Sequence, residues 1–109
     1  MGITYTFAGL PVTDYEAAYE WYVRLLGRPA DMFPHSTEAV WRLTSSSAIY
    51  VVQDPVRAGN GLLTVALDDL DAFEELATGD EAQAPRRLVV TDPDGNTLTF
   101  FEDPGESTP

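Results

Sequence analysis

Cysteine is missing from this sequence of 109 residues, which excludes disulfides and thiolate metal sites. Lysine is missing too: the six basic residues are all arginine, set against 18 acidic ones for a net charge of −12. Such a field repels phosphates and anionic lipids, so neither nucleic acid nor a membrane surface is an expected partner. Histidine occurs once, as His35. No apolar run approaches the ~18 residues of a membrane span. The N-terminus has no basic region followed by an apolar stretch, so no signal peptide is expected and the expected location is cytoplasmic. Gly2 followed by Thr6 satisfies a loose myristoylation pattern. The alternation of Ile3, Tyr5 and Phe7 with Thr4, Thr6 and Ala8 instead reads as a strand.

What is present points to one globular domain. Hydrophobic residues make up 44% of the chain and include twelve aromatics, enough for a real core at this length. Acidic residues crowd the stretch from Asp68 to Glu81, which reads as a solvated helix face and loop.

An internal repeat organises the chain. Phe7 to Ala17 aligns with Leu62 to Ala72 at an offset of 55 residues, and Ile49 to Pro55 aligns with Leu98 to Pro104 at an offset of 49. The second half is therefore six residues shorter between its helix and its last strand. Each half reads as β-α-β-β-β, giving an α+β fold. The expected layout is module one at 1–56, a linker at 57–61, module two at 62–104 and a tail at 105–109.

In the first half a strand over Ile3 to Val12 leads to a helix capped by Asp14. Its apolar positions Tyr15, Ala18, Tyr19, Tyr22, Leu25 and Leu26 recur at helical spacing until Gly27 and Pro29 end it. Strands are expected over Ala30 to Phe33, Glu38 to Thr44 and Ala48 to Gln53. In the second half, a strand over Leu62 to Leu67 precedes a short helix through Leu70, Phe73, Leu76 and Ala77. Gly79 to Pro85 holds a short or irregular remnant of a strand. Strands over Arg87 to Thr91 and Thr97 to Glu102 then flank the turn Asp92-Pro93-Asp94-Gly95-Asn96.

Two local patterns add a resemblance. The run Val12-Thr13-Asp14, then Trp21-Tyr22, then Leu25-Leu26-Gly27 after a strand, together with Asp92-Pro93-Asp94-Gly95-Asn96 before the last strand, resembles the signatures of the vicinal oxygen chelate superfamily. That superfamily includes glyoxalases, extradiol dioxygenases and bleomycin resistance proteins. The resemblance implies an incomplete barrel with a shared cavity, and a homodimer. It also implies that the positions used by the superfamily's enzymes as metal ligands correspond to Phe7, Tyr50, Leu62 and Thr99. The repeat pairs Phe7 with Leu62 and Tyr50 with Thr99, as a two-module site requires. None is a His, Glu or Gln, whereas a divalent catalytic centre needs about three such ligands. No metal and no cofactor is therefore expected.

Strand alternation places Phe7, Tyr50, Leu62, Thr64, Thr99 and Phe101 on the mapped face, and Trp41 is expected to join them. These seven are the candidate ligand-binding residues, forming an apolar, aromatic surface with hydroxyl groups that suits a small hydrophobic or amphipathic molecule. Arg42, Arg86 and Arg87 are candidates for a cation at its rim. Gln53 and Glu102 are expected on the opposite face. The leading expectation is a metal-independent binding protein for an antibiotic or a metabolite. Two alternatives stand beside it: a lyase, epimerase or dioxygenase with displaced ligands such as His35, Glu38 and Glu102, and an interaction module whose cavity is filled.

Overall fold

The computed structural model describes residues 2–70 and 87–103. Strand β1 (Thr6–Val12) is followed by helix α1 (Tyr15–Leu26), β2 (Met32–His35), β3 (Glu38–Thr44) and β4 (Ser47–Gln53). The second half contributes β5 (Leu62–Leu67), β6 (Arg87–Thr91) and β7 (Thr97–Glu102). The strands form two small sheets, ordered β1-β4-β3-β2 and β5-β7-β6, and neither closes into a barrel.

The repeat is visible in the pairing. The first strand of each half runs parallel to the last, β1 beside β4 and β5 beside β7, while the preceding strand adds antiparallel on the far side. Parallel neighbours need a crossover between them. In the first half α1 lies within that crossover. The second helix expected from Phe73, Leu76 and Ala77, the segment Gly79 to Pro85 and the tail fall outside the described residues.

Helix α1 begins and ends where its sequence dictates. The Asp14 carboxylate accepts a hydrogen bond from Ala17 N at 3.3 Å, and Gly27 adopts the left-handed conformation (φ 79°) while its N–H closes on Val23 O at 2.8 Å. Two strand boundaries differ from expectation. β1 starts at Thr6 rather than Ile3, because its partner β4 starts at Ser47 and no ladder partner exists further out. β2 covers Met32–His35, so His35 ends a strand instead of lying in a connection.

One core joins both halves. Leu10 and Val12 from β1, Ala18, Tyr22 and Leu25 from α1, Trp41, Ile49 and Val51 from β3 and β4, and Leu88, Val90, Leu98 and Phe100 from β6 and β7 form a single buried cluster. The inner face of each sheet carries this core. Glu102 and Gln53 lie on this inner side, as alternation predicts. The Glu102 carboxylate accepts from Leu70 N at 3.0 Å, and the Gln53 side-chain oxygen accepts from Tyr15 N at 3.2 Å at the start of α1.

Candidate ligand-binding faces

Register decides which side chains share a face. Gly9 pairs with Tyr50 and Tyr50 with Val40, so β1, β4 and β3 present Phe7, Gly9, Tyr50, Val40 and Arg42 on the side away from α1. Thr64 pairs with Thr99 and Ala66 with Phe101, so β5 and β7 present Leu62, Thr64, Thr97, Thr99 and Phe101 on the side away from the core. These outer faces are open where the inner ones are packed: Phe7 is 55% exposed and Leu62 80%.

Six of the candidate residues therefore fall into two groups, Phe7 with Tyr50 on the first sheet and Leu62, Thr64, Thr99 and Phe101 on the second. Trp41 does not join either. It pairs with Ile49, which points into the core, and its own side chain is fully buried, stacked on Tyr19 with ring centroids 5.6 Å apart. Its indole N–H donates to Arg28 O at 3.0 Å, so Trp41 anchors the end of α1 rather than lining the outer face. The expectation that Trp41 joins the mapped face is corrected accordingly: it belongs to the inner side.

A cavity of about 290 Å³ opens on the outer face of the first sheet, lined by Tyr5, Phe7, Met32, Val40 and Arg42. Tyr5 and Phe7 form one wall, with ring centroids 4.8 Å apart. Tyr5, Met32 and Val40 were not anticipated. The signal was available in the period-two alternation of β3, where Val40 and Arg42 share parity. A separate cavity of about 160 Å³ lies between the two halves on the inner side, lined by residues including Leu26, Ile49, Leu63, Val65 and Phe100.

Arg42 is held by its own backbone. Its N–H donates to the Asp31 carboxylate at 2.6 Å, and its carbonyl accepts from the Arg28 guanidinium. Arg28 in turn pairs with Asp31 through both carboxylate oxygens, at 3.0 and 2.9 Å. The Arg42 N–H, followed by Arg28, holds the Asp31 carboxyl below its ordinary value.

The turn Asp92 to Asn96 is a buried junction between the halves. Asp92 Oδ1 accepts from the backbone N–H groups of Asp94, Gly95 and Asn96 at 2.9, 3.0 and 2.9 Å. Asp92 Oδ2 accepts from the Tyr22 hydroxyl and from Asn96 Nδ2, each at 2.8 Å. Asn96 also donates to Pro11 O at 2.7 Å and accepts from Gly61 N at 2.6 Å, tying the end of β1 to the start of β5. Burial, reinforced by the Asp92 charge, pushes the Tyr22 phenol well above its ordinary value.

The residues that the resemblance aligns with the superfamily's metal positions do not suit a metal. Phe7 and Leu62 carry no donor atom, and the hydroxyls of Tyr50 and Thr99 are poor ligands for Zn, Fe or Ni near neutral pH. Among the described residues, no three His, Asp or Glu side chains are grouped to hold an ion, the set His35, Glu38 and Glu102 included. His35 Nε2 lies 3.6 Å from Glu38, whereas Glu102 caps Leu70 from the second sheet. No helix among the described residues is long and apolar enough to cross a membrane.

No protein-family model and no curated protein matches the sequence. Solved structures do. A glyoxalase/bleomycin resistance protein from Catenulispora acidiphila is 39% identical, with a TM-score of 0.83 over 90% of this chain and 96% of that one. The chain belongs to the glyoxalase/bleomycin resistance family. That family lies within the vicinal oxygen chelate superfamily, in agreement with the motifs at Val12 to Gly27 and Asp92 to Asn96. Two more distant members of the fold are similar to this family member. The antibiotic binding protein TnmS3 from Streptomyces sp. CB03234 shares 23% identity and a TM-score of 0.70 over 94% of this chain and 98% of that one. A bleomycin-binding protein from Streptomyces verticillus, complexed with copper(II)-bleomycin, shares 22% and 0.67 over the same fractions.

Proposed function

We propose that this glyoxalase/bleomycin resistance protein is a metal-independent, cytoplasmic small-molecule binding protein, sequestering an antibiotic or sensing a metabolite, and that it works as a homodimer. One observation supports the reading: the outer faces carry Phe7, Tyr50, Leu62 and Thr99, two hydrocarbon side chains and two hydroxyls, at the four positions that the resemblance assigns to metal ligands in the superfamily's enzymes. Such a surface binds by burial and stacking, with Tyr50, Thr64 and Thr99 orienting the ligand through hydrogen bonds. The fold's occurrence in an antibiotic binding protein and a bleomycin-binding protein supports the same class of ligand. The exposure of Leu62 and Phe7 supports a dimer in which a second copy covers one or both outer faces.

A thermal-shift screen with copper(II)-bleomycin, planar antibiotics and metabolites tests the reading. A ligand at about 100 times its Kd adds about 2.7 kcal/mol, a rise on the order of 10 °C for a domain this small. Tyr50→Ala and Thr99→Val should each weaken the hit. A chain that responds to nothing is an interaction module with a filled surface. Stoichiometric Zn, Ni, Mn or Fe(II) binding that brings lyase, epimerase or dioxygenase activity overturns metal independence. Light scattering of the protein and of Leu62→Asp tests the dimer, whose loss in the variant is expected.

A further inference from the structure

Charge on the outer faces is inverted relative to the chain. Against 18 acidic and six basic residues overall, the charged side chains that strand register places on these faces are Glu38, Arg42 and Arg87, with His35 beside Glu38. Glu38 is engaged by His35 at 3.6 Å. Among the described residues, neither Arg42 nor Arg87 has a carboxylate within ion-pair distance, although Arg28 and Arg57 both do. Asp31 is close enough to feel the Arg42 charge, but its oxygens are already taken by Arg28 and by the Arg42 main chain, so the guanidinium keeps capacity for a charge that arrives from outside.

Arg42 has a pocket as well. Its guanidinium borders the cavity formed with Tyr5, Phe7, Met32 and Val40, and its one hydrogen-bonding contact there is Met32 Sδ at 3.7 Å. The carboxylate against its main chain, Asp31, is already bonded by Arg28 and by the Arg42 N–H. The same clamp fixes the backbone from which the guanidinium extends. We infer that Arg42 selects an anionic ligand: a planar aromatic molecule bearing a carboxylate or phenolate, its ring against Tyr5 and Phe7 and its anionic group on Arg42. This rests on the outer face of the first sheet being a ligand site.

Calorimetric titration of the full chain with 2-naphthoate, its neutral analogue 2-naphthamide and the cation proflavine tests it. The carboxylate should bind about tenfold more tightly than the amide, the range of a charge-assisted hydrogen bond. Arg42→Gln should erase that preference with the amide's affinity unchanged, and Arg42→Lys should restore part of it. The clamp uses only the Arg42 main chain, so an unchanged urea midpoint is expected for Arg42→Gln. Equal binding of acid and amide, tighter binding of proflavine, or a preference that survives Arg42→Gln overturns the anion assignment and leaves the site. No binding of any of the three, together with no hit in the wider screen, overturns the site as well.

Discussion

The phenol of Tyr50 lies across Gly9: a methyl group added at Gly9 would overlap the Cζ, Oη and Cε2 atoms of that ring. Glycine is thus required on β1 for close approach by its cross-strand partner. Gly9→Ala should displace Tyr50, cost about 1–3 kcal/mol by overpacking and weaken ligand binding on this face. In a Tyr50→Ala background the cost of Gly9→Ala should disappear, so a double-mutant cycle by urea denaturation measures the contact directly.

The Asp92–Asn96 junction should act as one unit. Removing the Asn96 side chain strands partners at the end of β1 and the start of β5, and removing that of Asp92 strands the Tyr22 hydroxyl of α1. Asn96→Ala should cost about 2–4 kcal/mol and Tyr22→Phe about 1–2 kcal/mol. Their sum should exceed the double mutant's loss, because both donate to Asp92 Oδ2. Equilibrium unfolding of the two singles and the double checks this.

Tyr22 should set an alkaline limit. Its native phenol is held protonated above the ordinary value of 10.0, while the unfolded chain ionises there. The resulting stability is complete below about pH 10 and falls as pH rises further, by at most about 1.4 kcal/mol per pH unit for this one group. Ultraviolet titration should show one of the five tyrosines ionising only as the chain unfolds. Tyr22→Phe should lose less stability between pH 9 and 11 than the parent, within about that slope.

Trp41 separates stability from binding. Trp41→Phe removes an indole N–H bond and much buried surface and should cost about 2–4 kcal/mol. The affinity of any ligand bound on the outer face should stay within about twofold at temperatures where the variant is folded. A large loss of affinity instead would return Trp41 to the binding surface.

Most of the architecture was legible before the structure because it rests on local signals. The offset between Phe7 and Leu62 exposed the two-module plan. Asp14, Gly27 and the spacing of Ala18, Tyr22 and Leu25 marked α1, since capping and helical periodicity need only a few neighbouring residues. Alternation separated Phe7 and Tyr50 from Leu10 and Val51 for the same reason. Parity along one strand says nothing about which parity faces which layer, and Trp41 was misassigned on that point. Its side is settled by pairing with Ile49, a partner across the sheet.

Composition, repeat and pattern by themselves determined an acidic α+β chain of two unequal halves. Only the tertiary structure turned the Asp92 to Asn96 turn into a buried junction, because its partners Pro11, Tyr22 and Gly61 are remote in sequence and meet it only when both sheets share one core. Only the tertiary structure, likewise, set Arg42 beside an aromatic pocket while Asp31, the carboxylate near it, is engaged by Arg28. Ion pairing depends on distances across strands, which composition does not give.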